Sequence, residues 1–178
     1  TLLFNLFKYL GYKVGLISTI KNHINDVCIT SEFTTPDAIQ LNELFSRMVD
    51  EGCTHCFMEV SSHSIVQNRI SGIEFIGGVF TNITHDHLDY HKTFGEYLKA
   101  KKRFFDFLPS TAFAISNNDD SNGKIMLQNT QASIKLYSMQ VISDYNCKVL
   151  ENNFDGMHLL IDGSDLWTRL VGKFNASN

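Results

Sequence analysis

Residues 55–63 read His-Cys-Phe-Met-Glu-Val-Ser-Ser-His, an apolar run that passes directly into a polar one. The apolar part predicts a buried strand over residues 55–60. The pattern recurs where a predicted strand over residues 78–83 runs into Thr-Asn-Ile-Thr-His-Asp-His-Leu-Asp-Tyr-His at residues 81–91. Ligands of open parallel sheets bind outside the carboxyl ends of the strands. We therefore expect both polar clusters to lie on one rim, which holds a polyanionic ligand.

Outward from these two clusters, helices and strands alternate along the chain. Apolar spacing predicts helices over residues 2–10, 36–52, 93–107 and 121–131, and further strands over residues 13–19, 112–116 and 134–137. This alternation indicates an α/β fold with a mostly parallel sheet and helices on both faces. Residues 20–33 show no clear period and are predicted to form a loop. Thr35, followed by Pro36 and Asp37, is predicted to be the N-cap of the second helix.

The pattern changes after Asp144. Short apolar runs over residues 145–151, 157–161 and 166–171 are separated by Asn-Asn, Asp-Gly and Gly-Ser turns, which is typical of antiparallel strands. We therefore expect residues 1–144 to form a parallel α/β core, and residues 145–178 to form an antiparallel β appendage of the same domain.

Composition argues against several classes of function. The 178 residues carry a formal net charge of −4, so we expect no nucleic-acid binding. No apolar run reaches membrane-spanning length, so we expect no membrane insertion. Cys53 and Cys56 form a C-x-x-C without a second such pair, and we interpret them as reduced thiols packed in a strand of a cytoplasmic protein. We also expect a monomer.

Each polar residue of the two clusters also has a structural explanation. Ser61 and Ser62 can cap a helix, and so can Asp86 and Asp89. Three histidines and two aspartates within residues 85–91 are harder to explain by packing. For this cluster we therefore favour a functional role.

A dinuclear metal hydrolase is the sharpest competing interpretation of the second cluster. His85-x-His87-x-Asp89 begins like the H-x-H-x-D-H signature of the metallo-β-lactamase family. Tyr90 interrupts the signature before His91, however, and the strands indicate a parallel α/β fold instead of a β-sandwich. We therefore prefer another family.

Residues 81–91 resemble the Mur ligase signature T-N-(L/I)-x-x-D-H-L-D-x-H. Other blocks resemble, in order and spacing, the family member that adds the third amino acid to UDP-MurNAc-dipeptide; they are T-T-P-D-A at 34–38, M-E-V-S-S-H at 58–63, Q-N-R at 67–69, Y-L-K-A-K-K at 97–102, N-N-D-D at 117–120 and G-K-F-N-A-S-N at 172–178. The resemblance implies a central ATP-binding domain with a P-loop-NTPase-like fold. It also implies a ligase of peptidoglycan synthesis, which uses ATP and Mg²⁺ to form an acyl phosphate that the amine of an amino acid displaces.

The resemblance also implies roles for individual residues. Glu59 and His87 match ligands of Mg²⁺. Lys101 matches a lysine that the family carbamylates, so that it serves catalysis and helps to hold a second Mg²⁺. The residues that match binders of UDP-MurNAc-dipeptide are Thr34, Thr35, Ser61, Gln67 and Arg69. The residues that match nucleotide contacts are Asn118 and Asn175. Helical spacing alone does not choose between Lys101 and Lys102, because both have apolar neighbours one turn away.

The chain departs from the family pattern in its phosphate-binding loop. That loop, G-x-x-x-x-G-K-(S/T), cradles phosphates with backbone N–H groups and a lysine, and it does not occur in the 178 residues. We expect it to precede Thr1 in a longer parent, with a uridine-binding domain before this domain and an amino-acid-binding domain after it. The chain by itself is therefore expected to be inactive. Phe33 stands where some relatives have Asn, which puts one substrate contact in question.

Three alternatives stay open at the level of sequence. Another ligase of the superfamily, such as a folylpolyglutamate synthase or a different Mur ligase, has a similar central domain. A non-catalytic α/β binding module is the alternative outside the enzymes. The choice between diaminopimelate and lysine as the added amino acid is open too, because the resemblance places that specificity in the amino-acid-binding domain.

Overall fold

The structure is a computed structural model that describes residues 1–84 and 88–177. The chain divides into two compact units, Thr1–Ile73 and Glu74–Asn178. Each unit has its own sheet and its own apolar core, and the α/β fold class predicted from the sequence is confirmed. Among the helices in the described ranges, none has the length and apolar character needed to cross a membrane.

The first unit is built on a four-stranded mixed sheet with the strand order β3-β2-β1-β4. Its elements are α1 (Leu2–Tyr9), β1 (Val14–Ile17), β2 (Lys21–Ile24), β3 (Val27–Thr30), α2 (Ala38–Asp50), β4 (His55–Met58) and α3 (Ser62–Val66). Strands β1 and β4 run parallel, with Ile17 opposite Met58. The pairs β1–β2 and β2–β3 are antiparallel. Every residue of β1 is buried, because this strand is flanked on both edges.

The loop predicted over residues 20–33 is wrong, because this segment forms the β2–β3 hairpin. Asn25 reverses the chain with a φ of 52°, a left-handed conformation that asparagine tolerates. The period of two is hidden in the sequence because polar Asn22 occupies a buried position next to His23 and Ile24. The side-chain oxygen of Asn22 accepts a hydrogen bond from the backbone N–H of Ser18 at 3.1 Å, which satisfies this buried group.

Helix α2 begins two residues later than the predicted cap implies. The N-cap is Asp37 and not Thr35, so that prediction is wrong. The Asp37 carboxylate accepts hydrogen bonds from the backbone N–H groups of Ile39 and Gln40, each at 2.9 Å. The helix packs into a core whose buried members are Ile17, Ile24, Leu41 and Met48.

The second unit is built on a six-stranded sheet with the order β10-β9-β8-β7-β6-β5. Its elements are β5 (Gly77–Phe80), α4 (Leu88–His91), α5 (Phe94–Asp106), β6 (Phe113–Asn117), α6 (Gly123–Met126), β7 (Ser133–Ser138), β8 (Tyr145–Asn153), β9 (Gly156–Ile161), β10 (Ser164–Thr168) and a 3₁₀ turn (Lys173–Asn175). Strands β5 to β8 pair in parallel. Strands β8 to β10 pair antiparallel, as predicted for the end of the chain.

The helix predicted over residues 121–131 is wrong for most of its length, because α6 covers only Gly123–Met126. Asn122 directly before it, Gly123 at its first position, and Asn129 and Thr130 after it are weak helix formers. A Cβ on Gly123 would lie 2.0 Å from the carbonyl oxygen of Asn117, so glycine permits a close approach of α6 to the end of β6. The core beneath this contact includes Phe80, Phe105, Ala114 and Met126.

Candidate active site

Glu59 stands directly after β4, in the first polar cluster. Its backbone N–H donates to the carbonyl oxygen of Ile17 at 2.9 Å, which extends the parallel pairing of β4 with β1 by one residue. Its exposed side chain turns toward Thr19 beyond the end of β1. The Thr19 backbone N–H and hydroxyl both donate to Glu59 Oε2, at 3.1 and 2.7 Å. The predicted Mg²⁺ ligand is therefore held at the carboxyl end of two adjacent parallel strands.

Two threonines before α2 connect to this strand end. The Thr35 side chain is buried, and its hydroxyl donates to the carbonyl oxygen of Glu59 at 2.8 Å. The same hydroxyl oxygen accepts a hydrogen bond from the backbone N–H of Ser61 at 3.1 Å. The hydroxyl oxygen of Thr34 lies 3.1 Å from that of Thr19. The predicted substrate-binding residues Thr34, Thr35 and Ser61 are thus brought together around Glu59.

Ser61 is the N-cap of α3, which is one of the two roles that the sequence allowed for it. Its hydroxyl oxygen accepts a hydrogen bond from the backbone N–H of Ser64 at 3.1 Å. A serine hydroxyl has one proton to donate besides its acceptor sites. The cap uses only the acceptor capacity, so capping and ligand binding by Ser61 are compatible.

Arg69 lies beside the same segment. Its Nε donates to Gln67 Oε1 and its Nη1 donates to the carbonyl oxygen of Thr35, both at 2.8 Å. The ring centroid of Phe33 lies 5.7 Å from the guanidinium carbon. A guanidinium has five N–H donors in a planar fork. Two of them orient Arg69, and the other three are suited to a carboxylate or a phosphate.

The second polar cluster is described only in part. His85, Asp86 and His87 lie outside the described residues, so His87 as a Mg²⁺ ligand and its convergence with Glu59 and Ser61 on one rim stay predictions. Strands β4 and β5, which we expected to be neighbours in one sheet, belong to different sheets.

The first residues of the second cluster are hydrogen-bonded to side chains at and just after the end of β6. The backbone N–H of Ile83 donates to Asp120 Oδ2 at 3.0 Å. The Asn117 side-chain amide donates to the carbonyl oxygen of Thr81 at 2.9 Å. Asn117 and Asp120 belong to the N-N-D-D block, so the two motifs of the second unit are connected in space.

Lys101 and Lys102 on α5 have different surroundings. Lys101 Nζ lies 5.4 Å from the ring centroid of Tyr97, and burial lowers the pKa of this amine. Within residues 1–84 and 88–177, the side-chain amine of Lys101 makes no hydrogen bond or ion pair. Lys102 forms an ion pair with Asp106, one turn along the helix. Burial thus disfavours the charged form of Lys101 relative to an exposed lysine. The carbamylation of Lys101 that the resemblance implies stays a prediction.

Tyr137 links Asn118 to the segment that follows Asn175. The Asn118 backbone N–H donates to the Tyr137 carbonyl oxygen at 2.8 Å. The Tyr137 hydroxyl donates to the carbonyl oxygen of Ser177, also at 2.8 Å, two residues beyond Asn175. Burial, and to a smaller degree neighbouring aspartates, raise the pKa of Tyr137 to about 12. Tyr137 therefore ties Asn118 to the end of the segment that contains Asn175, while the roles of both asparagines stay predictions.

Thr19 was missed in the sequence, although a signal was present. An apolar run at 14–17 passes into the polar pair Ser18-Thr19, which is the pattern that singled out residues 55–63. The pair is short and carries no ionisable group, so the pattern there is too weak to predict a functional residue.

The fit to Mg²⁺ rests on the chemistry of Glu59 and the hydroxyls around it. In the described part of the chain, no three His, Cys, Asp or Glu side chains are grouped so that they could hold a metal by themselves. Mg²⁺ is usually bound by one or two carboxylates together with substrate phosphates and waters. A single exposed carboxylate, with a free oxygen among the described residues, fits this mode.

Comparison with known proteins gives a consistent family. The family model of the Mur ligase middle domain matches residues 1–178. The UDP-N-acetylmuramoyl-L-alanyl-D-glutamate–2,6-diaminopimelate ligase of Bacteroides fragilis is 57% identical over 178 residues, which are 100% of this chain and 37% of that protein. The ligase of the same name from Clostridium tetani is 37% identical over 172 residues, 94% of this chain and 35% of that protein.

A solved structure agrees with the sequence comparisons. The structure of a UDP-N-acetylmuramoyl-L-alanyl-D-glutamate–2,6-diaminopimelate ligase superposes with a TM-score of 0.85 at 27% identity, and the match covers 99% of this chain and 37% of that one. The chain thus spans somewhat more than a third of the length of the relatives that it matches. The match of the family model along the whole chain shows that it belongs to the Mur ligase middle domain family.

Proposed function

We propose that the chain is the middle domain of a ligase that joins 2,6-diaminopimelate to UDP-MurNAc-L-Ala-D-Glu in peptidoglycan synthesis. The observation that carries this proposal is the 57% identity, over the whole chain, to a ligase of that name. The amino acid is proposed from the names of the relatives. The proposal includes a monomeric cytoplasmic enzyme without affinity for nucleic acid or membranes, in which uridine-binding and amino-acid-binding domains flank this one.

The proposed reaction forms an amide at the expense of ATP. The terminal carboxylate of UDP-MurNAc-L-Ala-D-Glu attacks the γ-phosphorus of ATP, and ADP leaves. The amine of diaminopimelate then attacks the acyl carbon, and inorganic phosphate leaves. Mg²⁺ supplies positive charge that offsets the charge of the phosphates.

The network around Glu59 supports the roles proposed in the first unit. Glu59 and His87 are each proposed to be ligands of Mg²⁺, as the family resemblance implies. Thr34, Ser61, Gln67 and Arg69 are proposed to contact the substrate, and the three N–H groups of Arg69 that are left after its bonds to Gln67 and Thr35 suit an anionic group. Thr35 is proposed to act by shaping this loop, because its buried hydroxyl is already engaged twice.

Lys101, Asn118 and Asn175 are the proposed functional residues of the second unit that the structure describes. A carbamate forms when an unprotonated amine adds to carbon dioxide, and the lowered pKa of Lys101 raises the fraction of that form. The product is an anion that can help to hold a second Mg²⁺. Asn118 and Asn175 are proposed to contact ATP.

A chimeric ligase tests the proposal. In this chimera, the chain replaces the 178 residues that it matches in the Bacteroides fragilis enzyme. We expect phosphate release that depends on ATP, Mg²⁺, UDP-MurNAc-L-Ala-D-Glu and diaminopimelate, with the amide product identified by mass spectrometry. Lysine replaces diaminopimelate as the control substrate. A chimera that melts cooperatively but releases no phosphate would overturn the proposal.

The role of Lys101 has its own test in the chimeric ligase. We expect Lys101→Ala to slow ligation strongly, and a small carboxylic acid such as formate to restore part of the rate by standing in for the carbamate. Lys99→Ala, at an exposed lysine of the same helix, is the control. A Lys101→Ala variant with a near-normal rate excludes the role.

A further inference from the structure

Two hydrogen bonds from Thr19 end on the same oxygen of the Glu59 carboxylate. A backbone N–H and a hydroxyl of one residue both donate to a single carboxylate oxygen, Oε2, at 3.1 and 2.7 Å. Glu59 Oε1 accepts no hydrogen bond from any residue in the ranges 1–84 and 88–177. One oxygen of the carboxylate is therefore fixed by the protein, and the other is left for a ligand.

The direction of the hydroxyl hydrogen bonds follows from the chemistry of the three groups. An ionised carboxylate only accepts, so the Thr19 hydroxyl must be the donor to Glu59. The single hydroxyl proton of Thr19 is used in that bond. The contact of 3.1 Å between the Thr19 and Thr34 hydroxyl oxygens then requires Thr34 to donate. A relay of hydroxyls thus runs from Thr34 through Thr19 to Glu59.

This relay fixes a side chain that would otherwise be mobile. Glu59 is exposed and has three rotatable side-chain bonds, so alone it would occupy several rotamers. Hydrogen bonds to an ionised acceptor are stronger than those between neutral groups. Thr19 itself is placed by β1, whose pairing with β4 puts Ile17 opposite Met58 and continues from Ile17 to Glu59.

We propose that Thr19 is a positioning residue that orients the Glu59 carboxylate toward Mg²⁺ and couples it to the substrate residue Thr34. This inference rests on the proposed function, because it assigns Glu59 to the metal. Residues that orient a metal ligand commonly change metal affinity by about 10- to 100-fold when they are removed. The relay further implies that a group which takes up the Thr34 proton removes the hydroxyl donor to Thr19, and thereby alters the hydrogen bonding that orients Glu59.

Direct metal binding tests the inference. The probe is Mn²⁺, counted as the free ion by electron paramagnetic resonance, with the chimeric ligase and a non-hydrolysable ATP analogue. Thr19→Val keeps the β-branched shape and the backbone N–H but removes the hydroxyl, and we expect the Mn²⁺ dissociation constant to rise by about 10-fold. Thr19→Ser keeps the hydroxyl and should stay within about twofold of the parent. Glu59→Gln defines the share of Mn²⁺ binding that depends on this carboxylate.

Thr30→Val is the matched control, because Thr30 is an exposed threonine at the end of β3 in the same sheet. It should leave Mn²⁺ binding unchanged. Thermal melting checks that each variant is folded, and Thr19→Ala replaces Thr19→Val if the latter does not fold. Unchanged Mn²⁺ affinity in Thr19→Val, or equal losses in the Val and Ser variants, overturns the inference.

The two proposals can fail separately in this experiment. If the chimeric ligase forms no amide but Mn²⁺ binding follows the expected order, the proposed reaction fails and the role of Thr19 stands. If ligation proceeds and the Mn²⁺ dissociation constant does not depend on the Thr19 hydroxyl, only the role of Thr19 fails.

Discussion

The ring of Phe33 lies 5.7 Å from the guanidinium carbon of Arg69, so the residue that departs from the family pattern packs on a predicted substrate-binding side chain. Phe33 is half-exposed, and Arg69 is held from other directions by Gln67 and the carbonyl oxygen of Thr35. The aromatic face thus takes part in setting the position of the guanidinium.

Replacing Phe33 by Leu should weaken substrate binding. A cation–π contact at an exposed site contributes about 0.5–1 kcal/mol, which corresponds to a rise of about two- to fivefold in the dissociation constant. Isothermal titration of the chimeric ligase with UDP-MurNAc-L-Ala-D-Glu measures it. Phe33→Tyr keeps the ring and serves as the control. Equal affinities of the Leu and Tyr variants would show that the ring does not matter.

Replacing Asp37 by Ala should destabilise the first unit. The substitution removes the acceptor for the N–H groups of Ile39 and Gln40, and the loss of such a cap costs about 1 kcal/mol. Urea unfolding of the chain gives the free energy of unfolding. Asp37→Asn keeps a capping oxygen and should lose much less. If Thr35 were the cap after all, Asp37→Ala would unfold at the same urea concentration as the parent.

Replacing Asp120 by Ala should loosen the segment before the histidine cluster. The buried backbone N–H of Ile83 would lose its acceptor, which costs about 1–3 kcal/mol. Hydrogen exchange measured by NMR should show faster exchange of the Ile83 amide. Asp120→Asn retains a side-chain oxygen and is the control. An unchanged exchange rate in Asp120→Ala would contradict this assignment.

Replacing Lys101 by Met should stabilise the chain in a way that depends on pH. Burial lowers the pKa of Lys101 below its ordinary value of 10.5, so the unfolded chain binds more protons between the lowered pKa and 10.5. The cost of burying the charge is therefore complete below the lowered pKa, and it disappears as the pH rises through this window to 10.5. The gain from Lys101→Met should be largest near neutral pH and shrink toward pH 10.5.

Urea unfolding in buffers free of carbon dioxide measures this difference, because the carbamate cannot form there. Lys99→Met on the exposed side of the same helix provides the control. A gain from Lys101→Met that is constant between neutral pH and pH 10.5 would mean that the lysine is not desolvated.

Sequence patterns predicted the elements whose apolar residues face a core. Strand β6 and helix α5 lie within a residue or two of their predicted limits, because their buried residues recur at the period of a strand or a helix. The β2–β3 hairpin was not predicted because buried Asn22 breaks the apolar alternation, and its burial is satisfied by a hydrogen bond from the backbone N–H of Ser18. A period cannot report such a contact.

In the candidate site, too, local sequence predicted some of the residues and long-range pairing of strands placed the others. The chemistry of Glu59 and Lys101 is visible in their motifs, whereas helical spacing does not separate Lys101 from Lys102. The ion pair between Lys102 and Asp106 distinguishes the two lysines in the structure. Thr19 has no motif of its own, and only the register of β1 against β4 brings it to Glu59. Side chains that act through pairing of distant strands cannot be found by local spacing.

The hydroxyl of Thr35 restricts which side chains this position can carry. It gives its proton to one backbone carbonyl and receives a hydrogen bond from another residue's amide, so it joins the strand end to the loop before α2. Valine has the same shape but leaves both backbone groups without a partner in a buried place. In a library of random substitutions, functional clones should therefore encode serine or threonine at codon 35, while codon 33, two positions earlier, accepts any aromatic residue.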